Sequence, residues 1–424
     1  MKTLDVVLGL QWGDEGKGKI VDVLAERYPV VARFQGGPNA GHSIHFGDTS
    51  FVLHSVPSGV FRKGAINIIG NGVVLDPTIF REECEAIEAL GVPVRERVRI
   101  ARRAHLILPT HKMLDAADEQ SLGKGKIGST LKGIGPAYSD KTGRNGLRVG
   151  DLFTPDFQER YATLKRKHAA RLSQYDFTAP FSLETAEAQW MKDIEYIKSF
   201  EIVDCEYETN ALLDEGKAIL AEGAQGSMLD VDFGSYPFVT SSSTACAGAC
   251  TGLGVAPGRI GKVYGVFKAY CTRVGSGPFP TELNDATGEQ LRQKGHEFGA
   301  TTGRPRRTGW LDIPALKYAV MISGVTDLIM MKADVLDGFD TVKVACGYRV
   351  DGKSCDRVPY DVYADIEPVY KEFKGWKGNL GACRSEDDLP REFKEYVAYI
   401  EEALGLPVRI LSLGPDRAQT LIRK

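Results

Sequence analysis

Asp14 and Lys17 stand inside one glycine-rich stretch, Leu8-Gly-Leu-Gln-Trp-Gly-Asp-Glu-Gly-Lys-Gly-Lys19. A lysine in such a turn suits a phosphate. A carboxylate beside bound phosphate is repelled unless a metal or a proton lies between them, so Asp14 is expected to face a metal, a proton to be abstracted, or both. This is not the standard phosphate loop: Gly9 and the Gly16-Lys17 pair are separated by six residues rather than four, and Gly18 stands where Ser or Thr would hold Mg²⁺. Taken alone, the stretch reads about equally well as a turn with solvated charges.

Other groups along the chain shift that balance. Gln35-Gly-Gly-Pro-Asn-Ala-Gly-His-Ser43 presents Asn39 and His42 from a second glycine-rich turn. A lone histidine is more often a surface or satisfied core residue; its place in such a turn favours function. Gln225 sits in a third turn, Glu222-Gly-Ala-Gln-Gly226, and Thr240 in the hydroxyl-rich run Asp232 to Thr244. Gly123 to Asp140 is rich in Gly, Lys and hydroxyls and lacks sustained periodicity. It reads either as a mobile surface loop or as a loop that grips phosphate through Ser129, Thr130 and backbone amides. Lys141, Arg144 and Arg148 follow it as a basic cluster. Gly299 to Gly309 carries Arg304, Arg306 and Arg307 after Thr301 and Thr302, a pattern suited to bidentate capture of carboxylate or phosphate but also to a solvated face. Lys332-Ala-Asp334 follows a strongly apolar run. A carboxylate there accepts from guanine N1–H and the 2-amino group, which adenine does not offer.

The elements that must position these residues alternate between strand and helix. Apolar runs at Leu4 to Leu8, Val30 to Phe34, Ile66 to Ile69, Val98 to Ala101, Leu106 to Leu108, Lys217 to Glu222, Val263 to Ala269, Thr326 to Met331 and Val408 to Leu413 read as strands. Helical spacing marks Ile20 to Tyr28, Ile79 to Leu90, Ile313 to Ile322 and the face Phe393, Val397, Ile400, Leu404. This alternation predicts an α/β fold with a large, mostly parallel sheet covered by helices, with long loop insertions and a largely helical insertion at about 155–215; the phosphate turn and Lys332-Ala-Asp334 in one such sheet make it a P-loop-like GTP-binding architecture. Ligands in such folds gather at the carboxyl ends of strands, where these turns lie.

Composition narrows the class. With 424 residues, 43% hydrophobic and 26% charged, the chain has an ordinary globular balance and length for a large core. A net charge of −3 gives no pull toward nucleic acid or anionic membrane. No apolar run spans a bilayer, and Met1-Lys2 leads directly into a strand, so no signal peptide is expected. Eight cysteines with no CxxC pair read as reduced, mostly buried thiols of a cytoplasmic protein, with zinc disfavoured.

Gln11-Trp-Gly-Asp-Glu-Gly-Lys-Gly-Lys19 resembles the signature of the adenylosuccinate synthetase family. So do Gly36-Gly-Pro-Asn-Ala-Gly-His42, Gly133-Ile-Gly-Pro-Ala-Tyr138, Glu222-Gly-Ala-Gln-Gly226 and Gly275-Ser-Gly-Pro-Phe-Pro-Thr-Glu282. Thr301-Thr-Gly-Arg304, Arg307-Thr-Gly-Trp-Leu-Asp312 and Gly414-Pro-Asp-Arg417 complete the series, in order over essentially the whole chain. The resemblance implies a ligase of purine biosynthesis, at the first committed step from IMP to AMP. IMP, L-aspartate and GTP would give adenylosuccinate, GDP and phosphate, with one Mg²⁺ per subunit. Asp14 would remove the N1 proton of IMP and ligate Mg²⁺ together with the Gly41 carbonyl, His42 would act as an acid toward the transferring phosphoryl group, and Lys17 and Gln225 would complete the catalytic set. GTP would meet Gly13, Asp14, Glu15, Gly16, Lys17, Gly18, Lys19, Gly41, His42, Ser43 and Arg306, with Lys332, Ala333, Asp334, Gly414, Pro415 and Asp416 around guanosine. IMP would meet Asp14, Asn39, Thr130, Gln225, Thr240 and Arg304, with Arg144 reaching it from the partner subunit of a homodimer. Ala300, Thr301, Thr302, Gly303, Arg304, Pro305 and Arg306 would close over aspartate.

Two rival classes fit less well. A regulatory GTPase switch would share Lys332-Ala-Asp334 but needs no carboxylate in its phosphate loop. A dinucleotide-dependent oxidoreductase would need a Gly-x-Gly-x-x-Gly turn, which Gly13 to Gly18 matches poorly, and an acidic residue for ribose about twenty residues on, which is not convincingly present.

Overall fold

The computed structural model describes residues 3–46, 49–299 and 303–423. Its centre is a ten-stranded sheet. In chain order the strands are β1 (Leu4–Gly9), β2 (Val30–Arg33), β3 (Ile66–Ile69), β4 (Val98–Ala101), β5 (Glu201–Val203), β6 (Ile219–Glu222), β7 (Ile260–Lys268), β8 (Asp327–Met331), β9 (Val408–Ser412) and β10 (Thr420–Ile422). Their spatial order is β10-β9-β8-β7-β1-β6-β2-β3-β4-β5. All neighbours pair in parallel except the edge strand β10, which pairs antiparallel with β9.

β1 is continuous in apolar residues because both of its faces are covered. Leu4, Val6 and Leu8 enter the larger core, while Val7 faces the opposite layer with Ile20, Val21 and Leu24 of the first helix, α1 (Lys17–Leu24). Each such side chain, fully removed from water, contributes about 1.5–3 kcal/mol. Helix α1 stops earlier than its pattern suggests. Tyr28 is drawn out of helical register to donate to Asp5 Oδ2 at 2.5 Å, just before the chain enters β2.

The spatial order decides where the site lies. The loops after β9, β8, β7, β1, β6 and β2 leave the same end of six adjacent parallel strands. At about 4.8 Å per strand they line an edge about 24 Å long, enough for two nucleotides end to end.

Three elements differ from the sequence reading. The expected strand at Leu106 to Leu108 is only a two-residue strand, His105–Leu106, paired outside the main sheet. The stretch ending at Asp140 is not loop throughout, since Ile134–Thr142 is helical with left-handed Gly133 as its cap. Gly135 and Pro136 hide that helix from periodicity. A smaller sheet, in which Thr341–Val350 pairs antiparallel with both Lys353–Cys355 and Ile366–Lys374, was not foreseen. The helices of the 155–215 stretch, Phe157–Leu172, Leu183–Ile197 and Cys205–Asp214, also enclose the edge strand β5. The cysteines are all free, but only Cys84, Cys205 and Cys271 are buried; Cys346 is exposed and the other four are half-buried, which corrects the expectation of mostly buried thiols.

Candidate active site

The turn between β1 and α1 is built around Glu15, whose carboxylate points inward. Its Oε1 accepts from the backbone N–H groups of Gln11 at 3.1 Å and Gly13 at 2.9 Å, and Oε2 accepts from Lys17 Nζ at 2.5 Å. Gly9 makes room for it, since a Cβ there would lie 2.3 Å from Glu15 Oε2. Lys17 also donates to the Gln225 carbonyl at 2.5 Å, so its ammonium is held between the β1 and β6 turns. The two loop carboxylates therefore separate. Glu15 is buried against Lys17, while Asp14, with φ at 58°, has a side chain one-third exposed and reaches Arg306 Nε at 2.7 Å through Oδ2.

His42 opens a hairpin, His42–Phe46 with Thr49–Leu53, laid across α1. This explains Gly18, because a Cβ there would come within 2.8 Å of His42 Cβ. The position that carries a hydroxyl in a standard phosphate loop is filled by the histidine strand. His42 Nδ1 donates to Glu222 Oε1 at 2.5 Å, and the same carboxylate accepts from Ser58 Oγ at 2.5 Å and Ser58 N–H at 2.8 Å. Burial alone would raise the Glu222 pKa. Hydrogen bonding to His42 and Ser58 and the nearby Arg33 charge outweigh it and keep Glu222 ionised. His42 is pushed the other way, below the usual imidazole value, by burial and by the Arg33 and Lys17 charges, against the pull of Glu222. With Nδ1 committed, Nε2 is the nitrogen left for a substrate.

The Lys332-Ala-Asp334 turn follows β8. Lys332, with φ at 57°, donates to Gly295 O at 2.7 Å and Glu297 Oε1 at 2.8 Å. Ala333 is buried, and the buried Asp334 Oδ1 has no hydrogen-bond partner among the described residues. Burial raises the Asp334 pKa against the pull of Lys332 and Lys19. A buried carboxylate oxygen without a donor is what a ring N–H and an exocyclic amine would satisfy. Lys19 turns away from the phosphate loop and donates to Ser412 Oγ at 2.8 Å and Gly414 O at 2.7 Å, fixing the turn after β9. Pro415 is exposed there, and Asp416 Oδ1 accepts from Ala418 N–H.

The remaining sequence candidates divide. Gln225, with φ at 56°, donates to Asn39 Oδ1 at 3.3 Å, and its own Oε1 is buried without a hydrogen-bond partner among the described residues. Gly41 is half-buried and Ser43 pairs with Val52 in the hairpin. Ser129 Oγ is taken by Asp115 at 2.6 Å, whereas Thr130 is exposed. Thr240 donates its N–H to Leu229 O at 2.9 Å. Arg304 is exposed, Gly303 N–H donates to Gly299 O at 2.8 Å, and Pro305 pairs with Phe298. Ala300, Thr301 and Thr302 lie outside the described residues. Arg144, with φ at 60°, lines a cavity of about 210 Å³ with His105, Lys141, Arg148 and Arg160. Of seven non-glycine residues with left-handed backbone among those described, Asp14, Arg144, Gln225 and Lys332 are four. Such backbone tends to gather at functional sites.

Sequence reasoning missed two carboxylates, Glu222 behind His42 and Glu297 behind Lys332 and Arg306. Both are fully buried. Glu222 stands in a motif already singled out for Gln225; Glu297 carries no local signal.

Among the described residues, one histidine–carboxylate cluster has ligand-like proximity: His111, Asp140 and His168. Leu108 N–H donates to His111 Nδ1 at 2.9 Å, so that ring carries its proton on Nε2 and gives it to Asp140 at 2.8 Å. The cluster is a hydrogen-bonded clamp on the helix Ile134–Thr142. The oxygens of Asp14 and the Gly41 backbone are the hard donors that suit Mg²⁺.

A sequence model of the adenylosuccinate synthetase family matches residues 6–421. The adenylosuccinate synthetase of Bacteroides thetaiotaomicron is 59% identical over 420 residues, 99% of either chain. That of Porphyromonas gingivalis is 55% identical over 424 residues, the whole of both. The fully ligated adenylosuccinate synthetase from Plasmodium falciparum superposes with a TM-score of 0.93 at 38% identity, covering all of both chains. A cyanophage S-2L succinoaminodeoxyadenylate synthetase matches with a TM-score of 0.64 over 100% of this chain and 95% of that one; at 21% identity it speaks for the fold alone. Matched end to end in sequence and in fold, the chain belongs to the adenylosuccinate synthetase family.

Proposed function

We infer that this site joins IMP to L-aspartate at the expense of GTP, releasing GDP and phosphate through a 6-phosphoryl-IMP intermediate. The observation that carries the reading is Asp14, a half-open carboxylate within a nucleotide loop whose other carboxylate is buried on Lys17. The C6 oxygen of IMP is a poor leaving group, and phosphorylation makes it a good one. Asp14 takes the N1 proton, the C6 oxygen attacks the γ-phosphorus, and the aspartate amine then displaces phosphate. Lys17 is held at the loop, and His42 donates to the transferring group through Nε2 as an imidazolium, the form that the ionised Glu222 on Nδ1 and the charge of bound phosphates favour.

Residue placement along the edge supports a direction for the substrates. Lys332, Asp334 and Gly414 to Asp416 follow β8 and β9 and suit guanosine. Asn39 and Gln225 follow β2 and β6, on the far side of β1, and suit IMP with Thr130, Thr240 and Arg304. Gly303 to Arg306 suit the carboxylates of aspartate, where Arg306 exchanges Asp14 for a substrate anion. Mg²⁺ would be held by Asp14 and the Gly41 carbonyl and would supply charge neutralisation on the phosphates.

Arg144 is read as acting across a homodimer. The exposed, strongly basic cavity it lines, with Asp151 as its acidic member, supports capture of an anion from outside this chain's own edge. Among the described residues no helix is long and apolar enough to cross a membrane, and the free cysteines fit a reducing compartment such as the cytoplasm.

Phosphate release from GTP with Mg²⁺ tests the reading. Release is expected only with IMP and aspartate present together, accompanied by the ultraviolet change of a substituted purine. Release indifferent to both would favour a GTPase switch.

A further inference from the structure

Glu297 takes no part in the chemistry above, yet its carboxylate accepts from four side chains beside it. Its carboxylate is fully buried. Oε1 accepts from Lys268 Nζ at 3.2 Å, Tyr270 Oη at 2.5 Å and Lys332 Nζ at 2.8 Å; Oε2 accepts from Arg306 Nη1 at 2.7 Å. The backbone repeats the connection, since Arg306 N–H donates to Glu297 O at 2.9 Å. Burial alone would raise the pKa of this carboxylate, but the three cations hold it well below the usual range. Lys268 is sealed from solvent, and burial brings its pKa down to about 8. The other two cations face the site. Lys332 belongs to the turn after β8, and Arg306 carries its Nε to Asp14 while its Nη1 stays on Glu297.

We propose that Glu297 is a positioning residue that couples the guanine end of the site to its Asp14 end, by holding Lys332 and Arg306 on the two oxygens of one buried carboxylate. This rests on the reading of Lys332-Ala-Asp334 as the guanine turn and of Asp14 with Arg306 as the reacting end. When a substrate anion draws the guanidinium away from Asp14, the Nη1 contact makes Arg306 pivot rather than leave. Any shift of Glu297 in that movement is passed to Lys332, and nucleotide binding at Lys332 presets Arg306.

Steady-state kinetics of the full-length Glu297→Gln enzyme test this, with KM measured separately for GTP, aspartate and IMP, alongside Tm. The amide is isosteric but presents an N–H₂ group to one of the two cations. KM for GTP and for aspartate are expected to rise together, each about tenfold or more, with KM for IMP within about twofold and kcat falling less than either KM rises. Glu297→Asp keeps the charge but is one methylene short. It is expected to show the same paired rise at smaller size, and it carries the test should the glutamine protein fail to fold. A rise for GTP alone, no rise for either, or equal changes for all three substrates with a lowered Tm would overturn the coupling. The underlying site reading is checked apart from this by the base preference of Asp334→Asn. Unaltered preference there, beside a paired KM rise, would remove the guanine assignment and leave only a coupling between the Lys332 turn and the Asp14 end; altered preference with unpaired KM values would remove the coupling alone.

Discussion

Arg306 Nε lies 2.7 Å from Asp14 Oδ2, so the carboxylate inferred to take the N1 proton is ion-paired before any substrate arrives. The pair keeps an exposed base from wandering and gives the guanidinium a place to rest. Asparagine tolerates the left-handed backbone at this position as well as aspartate does. Asp14→Asn is therefore expected to fold with Tm nearly unchanged and to lose about 10²–10⁴ in kcat. Thermal unfolding and phosphate release measure the two effects. Turnover within tenfold of the parent would remove Asp14 from the role of base.

Gly18→Ala addresses why the phosphate loop lacks its hydroxyl. The added Cβ would meet His42 Cβ at 2.8 Å, with hairpin backbone close behind. Overpacking of this kind is worth about 1–3 kcal/mol. A lowered Tm and a fall in kcat are expected together, because relief of the clash moves His42. An alanine enzyme with parental kcat would show that the hairpin is not held in place by this contact.

How much of this was readable beforehand depends on the range of the signal. Strand–turn–helix at Leu4 to Leu24 and Lys332-Ala-Asp334 are local patterns of glycine, charge and apolar runs, and they folded as read apart from the early stop of α1. The inward turn of Glu15 was not readable, because it depends on Lys17 being trapped by a carbonyl 208 residues away. Glu297 was invisible for the same reason. Its partners, Lys268, Tyr270, Lys332 and Arg306, lie 9 to 35 residues away along the chain and meet only when β7 and β8 pair.

Glu222→Gln should reveal the state of His42 through pH. The ionised Glu222 favours the imidazolium, so removing its charge lowers the His42 pKa. If the imidazolium is the acid, activity is lost as pH rises through that pKa. The alkaline limb of the kcat profile is therefore expected to move to lower pH, with a fall of about 10²-fold near neutrality. A limb that stays in place would assign the titration to another group.

Asp334→Asn tests the base. The carboxylate offers two acceptors to guanine, and hydrogen bonds to a charged group are worth about 1.5–3 kcal/mol each. An amide gives up one acceptor and gains a donor, which pairs with the added carbonyl of xanthine. kcat/KM for GTP is expected to fall about 10²-fold or more while xanthosine triphosphate becomes the better substrate. An unchanged ratio between the two nucleotides would count against Asp334 as the reader.

Arg144 gives the one test that needs two chains. Arg144→Leu and Asp14→Asn are each expected to be inactive alone, the first for want of an IMP contact and the second for want of a base. In a symmetric dimer with the arginine acting across the interface, a mixed dimer contains one site that lacks both groups and one that lacks neither. Equal mixing under conditions of subunit exchange makes half the dimers mixed, so activity is expected to return to about a quarter of the parental value. The stoichiometry matters as much as the recovery, because a plateau well below a quarter with exchange shown to be complete would mean that the mixed site is only partly competent. No recovery at all would place Arg144 in the service of its own chain's site, and the basic cavity around it would need another anion.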